Sequence, residues 1–157
     1  MDRTDAFLTA MIPRLHQAER ALHNGDAGPR MAMWSHDDGV TLFGGVMGGS
    51  GWAEIEPIFQ RLGASFSHCQ SFDNEVIAAA ASDDLAYTVA FEHTTASVHG
   101  RPPVAYVLRV TTVFHREDGE WKVVHRHADP SASPTGGEVL RQLASGPEVV
   151  PTGKERR

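Results

Sequence analysis

Apolar side chains near the start of the chain recur at helical spacing. Five of them, separated by steps of three and four residues, share one face of a helix: Phe7, Met11, Leu15, Ala18 and Leu22. Pro13 lacks a backbone N–H and clashes with the preceding turn. We therefore expect a short leading helix capped by Thr4, and then a main helix from Pro13 to Asn24 that stops at Gly25.

Two more helices and one short strand are predicted before residue 66. Pro29 favours the first turn of a helix that runs to about His36, and residues 40–43 follow as a strand. A third helix carries its apolar residues on one face: Trp52, Ile55, Ile58, Phe59 and Leu62. Gly63 is expected to close this helix.

The segment 44–51, between the short strand and the third helix, contains five glycines among eight residues. It matches neither the glycine pattern of dinucleotide-binding folds nor the Walker pattern, so phosphate binding is disfavoured. We expect a flexible loop, with a lid over a pocket as the alternative.

From residue 67 onward the chain shows the alternation and the β-branched residues typical of strands. We predict strands over residues 67–81, 85–98, 104–116 and 120–128, with a hairpin at Glu117-Asp118-Gly119. Helices followed by an antiparallel meander predict an α+β fold with a curved sheet and a concave mouth, which is a usual place for a small-molecule site. Residues 131–157 are expected to be a mostly flexible tail.

Composition and charge restrict the class of protein. A length of 157 residues predicts one domain. The composition, with 41% hydrophobic and 22% charged residues, is typical of a globular domain. A net charge of -6 disfavours nucleic acid as a partner, because that affinity comes from neutralising phosphates. The single cysteine, Cys69, excludes an internal disulfide and a cysteine-based zinc site. Since neither a membrane-length apolar run nor a signal-peptide pattern occurs, we expect a cytoplasmic protein with no membrane partner.

Several short segments follow one another in a recognisable order: Asn24-Gly25-Asp26, Met33-Trp34-Ser35-His36-Asp37-Asp38 leading into residues 40–44, Gly51-Trp52, and residues 109–127 with their Asp118-Gly119-Glu120-Trp121 turn. Together they resemble the NTF2-like superfamily, which contains the ketosteroid isomerases and the SnoaL-like polyketide cyclases. The resemblance implies a cystatin-like cone over residues 13–130, with three helices packed in a strongly curved antiparallel sheet. It also implies residues 1–12 as an N-terminal extension and a homodimer formed through the outer sheet face. The fold hosts enzymes, binding proteins and assembly domains, so it does not by itself assign a function.

Side chains at alternate positions of a strand face opposite sides of the sheet. His125 and His127 therefore share a face of the last predicted strand, and Arg109 and Thr111 share a face of the strand before it. Glu92 lies on the preceding strand. Alternation together with the resemblance assigns four residues to the concave face: Arg109, His125, His127 and Glu92.

His125 and His127 are the sharpest candidates for chemistry. Imidazole titrates near neutral pH, so this pair could accept and donate a proton as catalytic residues. Two other interpretations stay open: both rings are hydrogen-bonded in a polar core, or they bind a metal with a third ligand from His115, Glu92 or Asp129. The nearby carboxylates and arginines favour an ion-pair network over a metal.

Arg109 interrupts an apolar strand, where an unpaired guanidinium is costly. We expect it to pair with Glu92 or with an acidic residue near the turn after the second helix, or to act as a catalytic residue that contacts a carboxylate or enolate of the substrate. Tyr106 has the opposite parity and is not assigned to the site. Four aromatic side chains are either plain core or the lining of a pocket for a hydrophobic ligand: Trp34, Phe43, Trp52 and Phe59.

The resemblance contains one departure that bears on mechanism. Ketosteroid isomerases place an acidic general base on the first strand, and the corresponding position here is Leu42, which cannot abstract a proton. We expect a pocket for a small hydrophobic or carbonyl-containing ligand, bound by the four aromatics, Glu92 and Thr111. As an enzyme, the protein would be an acid–base isomerase, cyclase or hydrolase that uses no metal and no cofactor. The alternative is a non-catalytic ligand-binding or association module.

Overall fold

The structure is a computed structural model that describes residues 1–45, 47–131 and 134–146. Within these ranges the helices are α1 (Arg3–Leu22), α2 (Gly28–Met33), α3 (Trp52–Ser65) and α4 (Pro134–Ser145). The strands are β1 (Thr41–Gly44), β2 (Met47–Ser50), β3 (Phe66–Ala81), β4 (Leu85–Val98), β5 (Val104–Glu117) and β6 (Glu120–Pro130). None of the described helices has the length and apolarity needed to cross a membrane.

All six strands belong to one curved, unclosed sheet in the order β2-β1-β6-β5-β4-β3. Neighbouring strands are antiparallel except β1 and β6, which run parallel with Thr41 opposite His125. Helices α1, α2 and α3 contact one another or the sheet, and the hydrophobic core fills the space between them. This architecture confirms the predicted α+β cone, with one parallel pair in a sheet that we expected to be antiparallel.

Helix α1 is one uninterrupted helix of 20 residues, so the predicted break at Pro13 is wrong. Proline removes one backbone hydrogen bond, but apolar side chains before and after Pro13 are buried in the core and hold the helix there. Asp2 caps the helix in place of Thr4, because its side chain accepts a hydrogen bond from the Asp5 N–H at 2.8 Å.

The ends of α2 and α3 also differ from prediction. Helix α2 stops at Met33, before the expected His36, whereas α3 continues past Gly63 to Ser65. A Cβ atom at Gly63 would lie 3.1 Å from the Cβ of Ala27, which precedes α2. Gly63 therefore allows two helices to approach closely and does not end one.

The glycine-rich segment 44–51 contains β2 and closes a hairpin with β1, where we expected a flexible loop or a lid. A Cβ atom at Gly48 would lie 2.9 Å from the Leu42 carbonyl oxygen, and one at Gly49 would lie 3.2 Å from Glu54 of α3. These glycines let β2 pack closely against both neighbours. The prediction of a loop is wrong because it weighed their flexibility and not their size.

The chain after residue 130 is not a mostly flexible tail throughout, because residues 134–145 form α4. Three of its apolar side chains, Val139, Leu140 and Leu143, are buried in the core cluster. Their spacing matches one helix face, a pattern that the surrounding Ser, Pro and Gly residues obscured. Residues 147–157, the end of the same predicted tail, lie outside the described residues.

A β-bulge in β6 decides which of its side chains face the helices. Val113 of β5 lies opposite His125, whereas the next residue, Phe114, lies opposite Val123, so Val124 is an extra residue in the ladder. Before Val124 the buried positions are odd-numbered, and beyond it they are even-numbered. The extra residue thus exchanges the two faces of the strand.

Candidate functional site

A cavity of about 50 Å³ lies inside the cone. Apolar side chains from the helices and the sheet form much of its wall: Leu22, Phe59, Leu62, Leu108, Leu140 and Leu143. Six polar side chains complete it: Glu19, His23, Arg30, Glu92, Tyr106 and Arg126. An apolar pocket with a few convergent polar groups is the usual form of a small-molecule site.

The first polar pair joins α1 to α2. Arg30 donates hydrogen bonds to both carboxylate oxygens of Glu19, with Nη2 2.6 Å from each oxygen and Nε 3.0 Å from Oε1. Burial acts to raise the pKa of Glu19, but the guanidinium groups of Arg30 and Arg126 outweigh it and hold that pKa below its ordinary value. Glu19 is therefore an ionised, paired carboxylate inside the cone.

The second pair joins β4 to β6. Arg126 donates to Glu92 through Nη1 at 2.9 Å and Nη2 at 2.7 Å, with both side chains buried. Burial alone would lower the pKa of Arg126, yet the Glu92 carboxylate raises it, so the guanidinium stays charged. Glu92 lies on the concave face as predicted, but its partner is Arg126 and not Arg109.

His23 and Tyr106 lie between the two ion pairs. The Nδ1 atom of His23 is 2.7 Å from the Glu19 backbone oxygen, which can only accept, so Nδ1 carries the proton of the neutral ring. Nε2 is then the acceptor and lies 2.6 Å from the Tyr106 hydroxyl, which donates to it. The structure therefore fixes both the tautomer of His23 and the direction of the bond.

Burial acts in opposite directions on these two groups. Removal from water lowers the pKa of His23, although the Glu19 carboxylate opposes this effect, and it raises the pKa of Tyr106. Both groups are therefore neutral near pH 7. With two paired carboxylates and two paired guanidiniums, the cavity wall has no net charge.

The two histidines expected to face the cavity lie on the outer face of the sheet, beyond the bulge. His127 is exposed, and His125 is half-buried with its Nδ1 2.6 Å from the Thr41 hydroxyl. Both rings are nearly perpendicular to the ring of Phe43, which is itself 55% exposed. Partial burial and the neighbouring His127 lower the pKa of His125. The predicted concave placement of His125 and His127 is wrong because Val124 shifts the alternation of β6. Phe43 of β1, predicted to be core or pocket lining, is neither, because it is exposed and does not line the cavity.

Arg109 and Thr111 are also on the outer face, so their predicted placement is wrong. The Arg109 side chain is 62% exposed and binds Asp129 at 2.7 and 3.0 Å. Alternation predicted correctly which residues of β5 share a face. The set that contains Arg109 and Thr111 was expected inside the cone, but the opposite set is buried. Tyr106, which we had not assigned to the site, belongs to the interior set.

The remaining predicted aromatics separate into three environments. Phe59 is fully buried and lines the cavity. Trp34 is a buried core residue that packs on Phe59 with ring centroids 5.1 Å apart. Trp52 is half-buried and stacks on His36 at 4.0 Å. Within residues 1–45, 47–131 and 134–146, no group of three His, Cys, Asp or Glu side chains is arranged to hold a metal ion.

Five polar cavity residues were not predicted: Glu19, His23, Arg30, Tyr106 and Arg126. The sequence does contain a pattern that could have identified two of them. Glu19 and His23 are four residues apart and lie beside the apolar face of α1. Ionisable residues that border a buried helix face require partners inside the protein. Nothing comparable in the local sequence marks Arg126.

The model of the SnoaL-like domain family matches residues 13–132. A search of curated proteins finds no match. Among solved structures, an NTF2-like family protein of Streptomyces avermitilis, proposed to be a dehydratase, is similar over 82% of this chain and 99% of its own, with 20% identity and a TM-score of 0.65.

Two further structures share the fold at similar distance. An NTF2-like superfamily protein of Salmonella enterica serovar Typhimurium is similar over 85% of this chain and 94% of its own, with 19% identity and a TM-score of 0.66. The CaMKII hub of S. rosetta is similar over 83% of this chain and 98% of its own, with 19% identity and a TM-score of 0.62. At these identities the similarities establish the fold alone.

Proposed function

The chain belongs to the SnoaL-like domain family, and from that premise we propose that its cone binds a small, neutral, largely apolar molecule and performs acid–base chemistry beside a carbonyl group of that molecule. His23 and Tyr106 carry the chemistry. The observation that supports this proposal most directly is the 2.6 Å hydrogen bond between them at the cavity wall. The reaction class is an isomerisation or a dehydration that needs no cofactor.

His23 is suited to be the general base. Its Nδ1–H is held by the Glu19 carbonyl, so the lone pair on Nε2 is directed toward Tyr106. Burial keeps the ring neutral near pH 7, which leaves that lone pair available. When Nε2 takes a proton from the carbon next to a ligand carbonyl, the imidazolium that forms has the Glu19 carboxylate 3.9 Å from Nδ1 to stabilise it.

Tyr106 is suited to hold the ligand oxygen. A carbonyl oxygen that replaces Nε2 as acceptor receives the phenol O–H, and this hydrogen bond stabilises the charge that develops on that oxygen. The proton held by His23 then returns to another carbon in an isomerisation. In a dehydration it is transferred to the departing hydroxyl, which leaves as water.

The charge balance of the wall indicates the ligand class. Both carboxylates and both guanidiniums are already paired, and His23 is neutral, so an anionic or cationic ligand would bring an unpaired charge into the cone. The apolar side chains favour a hydrocarbon body. A neutral carbonyl compound satisfies both requirements.

Deuterium exchange at carbon tests this proposal without knowledge of the natural substrate. The probe is 2-tetralone, a neutral aromatic ketone, and NMR follows the loss of its α-proton signals in D2O with and without protein. We expect the wild type to accelerate exchange, and His23→Gln and Tyr106→Phe each to reduce that acceleration by about 100-fold or more. The control is His115→Gln, an exposed histidine outside the cavity. Equal rates in the wild type and both cavity variants would contradict the assignment.

A second proposed function is association between copies of the chain. It is supported by apolar side chains exposed on β1, β3 and β4: Phe43, Ile77, Leu85, Tyr87 and Val89. Strands β3 and β4, which carry four of these side chains, are neighbours in the sheet, and contiguous exposed apolar surface is typical of interaction sites. Light scattering over a range of concentrations should give the mass of two chains, and a monomer at every concentration would contradict association. The two functions are compatible, because they use opposite faces of the sheet.

A further inference from the structure

The cavity as it stands is too small for the proposed ligand. Its volume is about 50 Å³, whereas a cavity that holds benzene measures about 150 Å³. A bicyclic or larger carbonyl compound therefore fits only if part of the wall moves.

Helix α4 provides a removable part of that wall. Its side chains Leu140 and Leu143 line the cavity, and Leu140 reaches the β1–β2 turn, where a Cβ atom at Gly45 would lie 2.9 Å from its Cδ1. The other lining residues belong to α1, α2, α3, the sheet strands or the short segments next to them. Withdrawal of α4 would thus open the cone and leave the two ion pairs and the His23–Tyr106 bond in place.

The sequence of α4 makes it a weak helix. Its 12 residues are near the length at which isolated helices are marginal, and two adjacent glycines weaken it further. Gly136 is required for close packing, since a Cβ atom there would lie 3.0 Å from the Pro130 Cβ and 3.3 Å from the Val107 carbonyl oxygen. Gly137 has no such role, because the nearest atom to its Cβ position is Nη1 of Arg141 at 3.6 Å. The helix therefore depends on docking for its stability.

His99 makes a polar contact between α4 and the hairpin that joins β4 to β5. The Nε2–H of His99 donates to the Gln142 carbonyl oxygen at 3.1 Å, since that oxygen can only accept. His99 holds a left-handed backbone conformation with φ of 50°. Neither His99 nor Gly137 lines the cavity.

We propose that α4 is a gate: Leu140 and Leu143 close the cone in the docked state, and the ligand binds when α4 leaves the mouth. This inference rests on the proposed function, since it names how that same site is opened. Because only the open state binds, the apparent affinity equals the intrinsic affinity multiplied by the open fraction. Substitutions that change only the docking of α4 should then change the affinity in a predictable direction.

Two substitutions with opposite expected effects test the gate, and neither changes a residue that lines the cavity. Gly137→Ala strengthens the helix and should weaken 2-tetralone binding by about threefold to fivefold. His99→Asn tolerates the positive φ but is too short to reach α4, and should tighten binding by about fivefold. His115→Asn is the matched control. Titration calorimetry measures the dissociation constants, and hydrogen exchange measures the opening of α4.

Opposite shifts, with faster exchange of α4 amides in His99→Asn and slower exchange in Gly137→Ala, would support the gate. Equal dissociation constants in all variants that bind 2-tetralone would overturn the gate and leave the proposed function intact. Protection of α4 amides equal to that of β4 and β5 would also overturn it. Absence of 2-tetralone binding in the wild type and in every variant would overturn the proposed ligand site, and this inference with it.

Discussion

Arg126 on β6 and Glu92 on β4 join their side chains across the intervening strand β5 through hydrogen bonds of 2.9 and 2.7 Å. Only 8% and 4% of the two side chains is exposed. An ion pair withdrawn from water depends on both partners, because removal of one leaves an uncompensated charge in the interior. This pair therefore supports the cone as well as the polar wall of the cavity.

The Arg126→Met variant should lower the free energy of unfolding by about 3–5 kcal/mol, because it leaves the Glu92 carboxylate buried without a partner. Urea denaturation measures the change. Adding Glu92→Gln to the same chain should restore a large part of the loss. The matched control is Arg3→Met, whose ion pair with Asp83 lies in solvent, and it should leave stability nearly unchanged. Equal effects of the two arginine substitutions would contradict the structural role of Arg126.

The strands of the second half could be predicted from sequence because each carries long alternation bounded by turn residues. Strand β4 occupies the predicted residues 85–98, and β5 differs by one residue at its end. Errors arose where tertiary packing overrides local preference. Pro13 lies inside a helix held by its buried face, and the glycines of 44–51 form a strand next to α3.

The candidate site was predictable only in part. Glu92 and Phe59 lie at the cavity as expected, but His125 and His127 do not. Strict alternation would place both histidines on the same face as the buried Val123. Because Val124 is an extra residue in the ladder, the two histidines lie on the opposite face. A valine within a run of strand residues does not predict a bulge.

Stability should depend on pH through His23. Burial lowers its pKa below the ordinary value of 6.5, with Glu19 and Glu92 opposing and Arg30 adding to the effect. As the pH falls below about 6.5, the unfolded chain binds a proton at this ring before the folded chain does, so the free energy of unfolding decreases. Glu19, whose pKa is also lowered, contributes only nearer pH 4.5. The half-buried His125, whose pKa is lowered as well, adds to the loss of stability below about pH 6.5. His23→Gln should therefore flatten the loss of stability between about pH 6.5 and 5.

Urea denaturation of the wild type and of His23→Gln at several pH values measures this difference. His115→Gln serves as the control, because it removes an exposed imidazole from the folded protein. The control should keep the wild-type slope of stability against pH. A slope in His23→Gln as steep as that of the wild type would contradict a buried neutral ring at position 23.

Association through the outer face should be sensitive to a single charge. Val89 lies on β4 among exposed apolar side chains, and Val89→Glu would bury a carboxylate in a contact between copies. We expect the dissociation constant of the dimer to rise by about tenfold or more, as measured by light scattering or sedimentation. Gln60→Glu adds the same charge on the exposed side of α3 and should leave association unchanged. If both variants associate like the wild type, the contact lies elsewhere.

Because α3 packs closely on the segment before α2, even the methyl group of an alanine at position 63 should destabilise the protein. A Cβ atom there would lie 3.1 Å from the Ala27 Cβ and 3.2 Å from the Ala27 backbone nitrogen, which cannot rotate away. Alanine favours a helix more than glycine by about 1 kcal/mol, but overpacking costs about 1–3 kcal/mol, so Gly63→Ala should lower the free energy of unfolding. Because displacement of α2 would carry Arg30 away from Glu19, it should also weaken 2-tetralone binding.

The same substitution at Gly137, where no atom lies closer than 3.6 Å to the Cβ position, supplies the matched control. Gly137→Ala should keep or increase stability, since it gains helix propensity without a steric cost. Urea denaturation of the two variants gives the comparison. A Gly63→Ala protein as stable as the Gly137→Ala protein would mean that α2 yields to the added methyl group, and that its position relative to α1 does not depend on this contact.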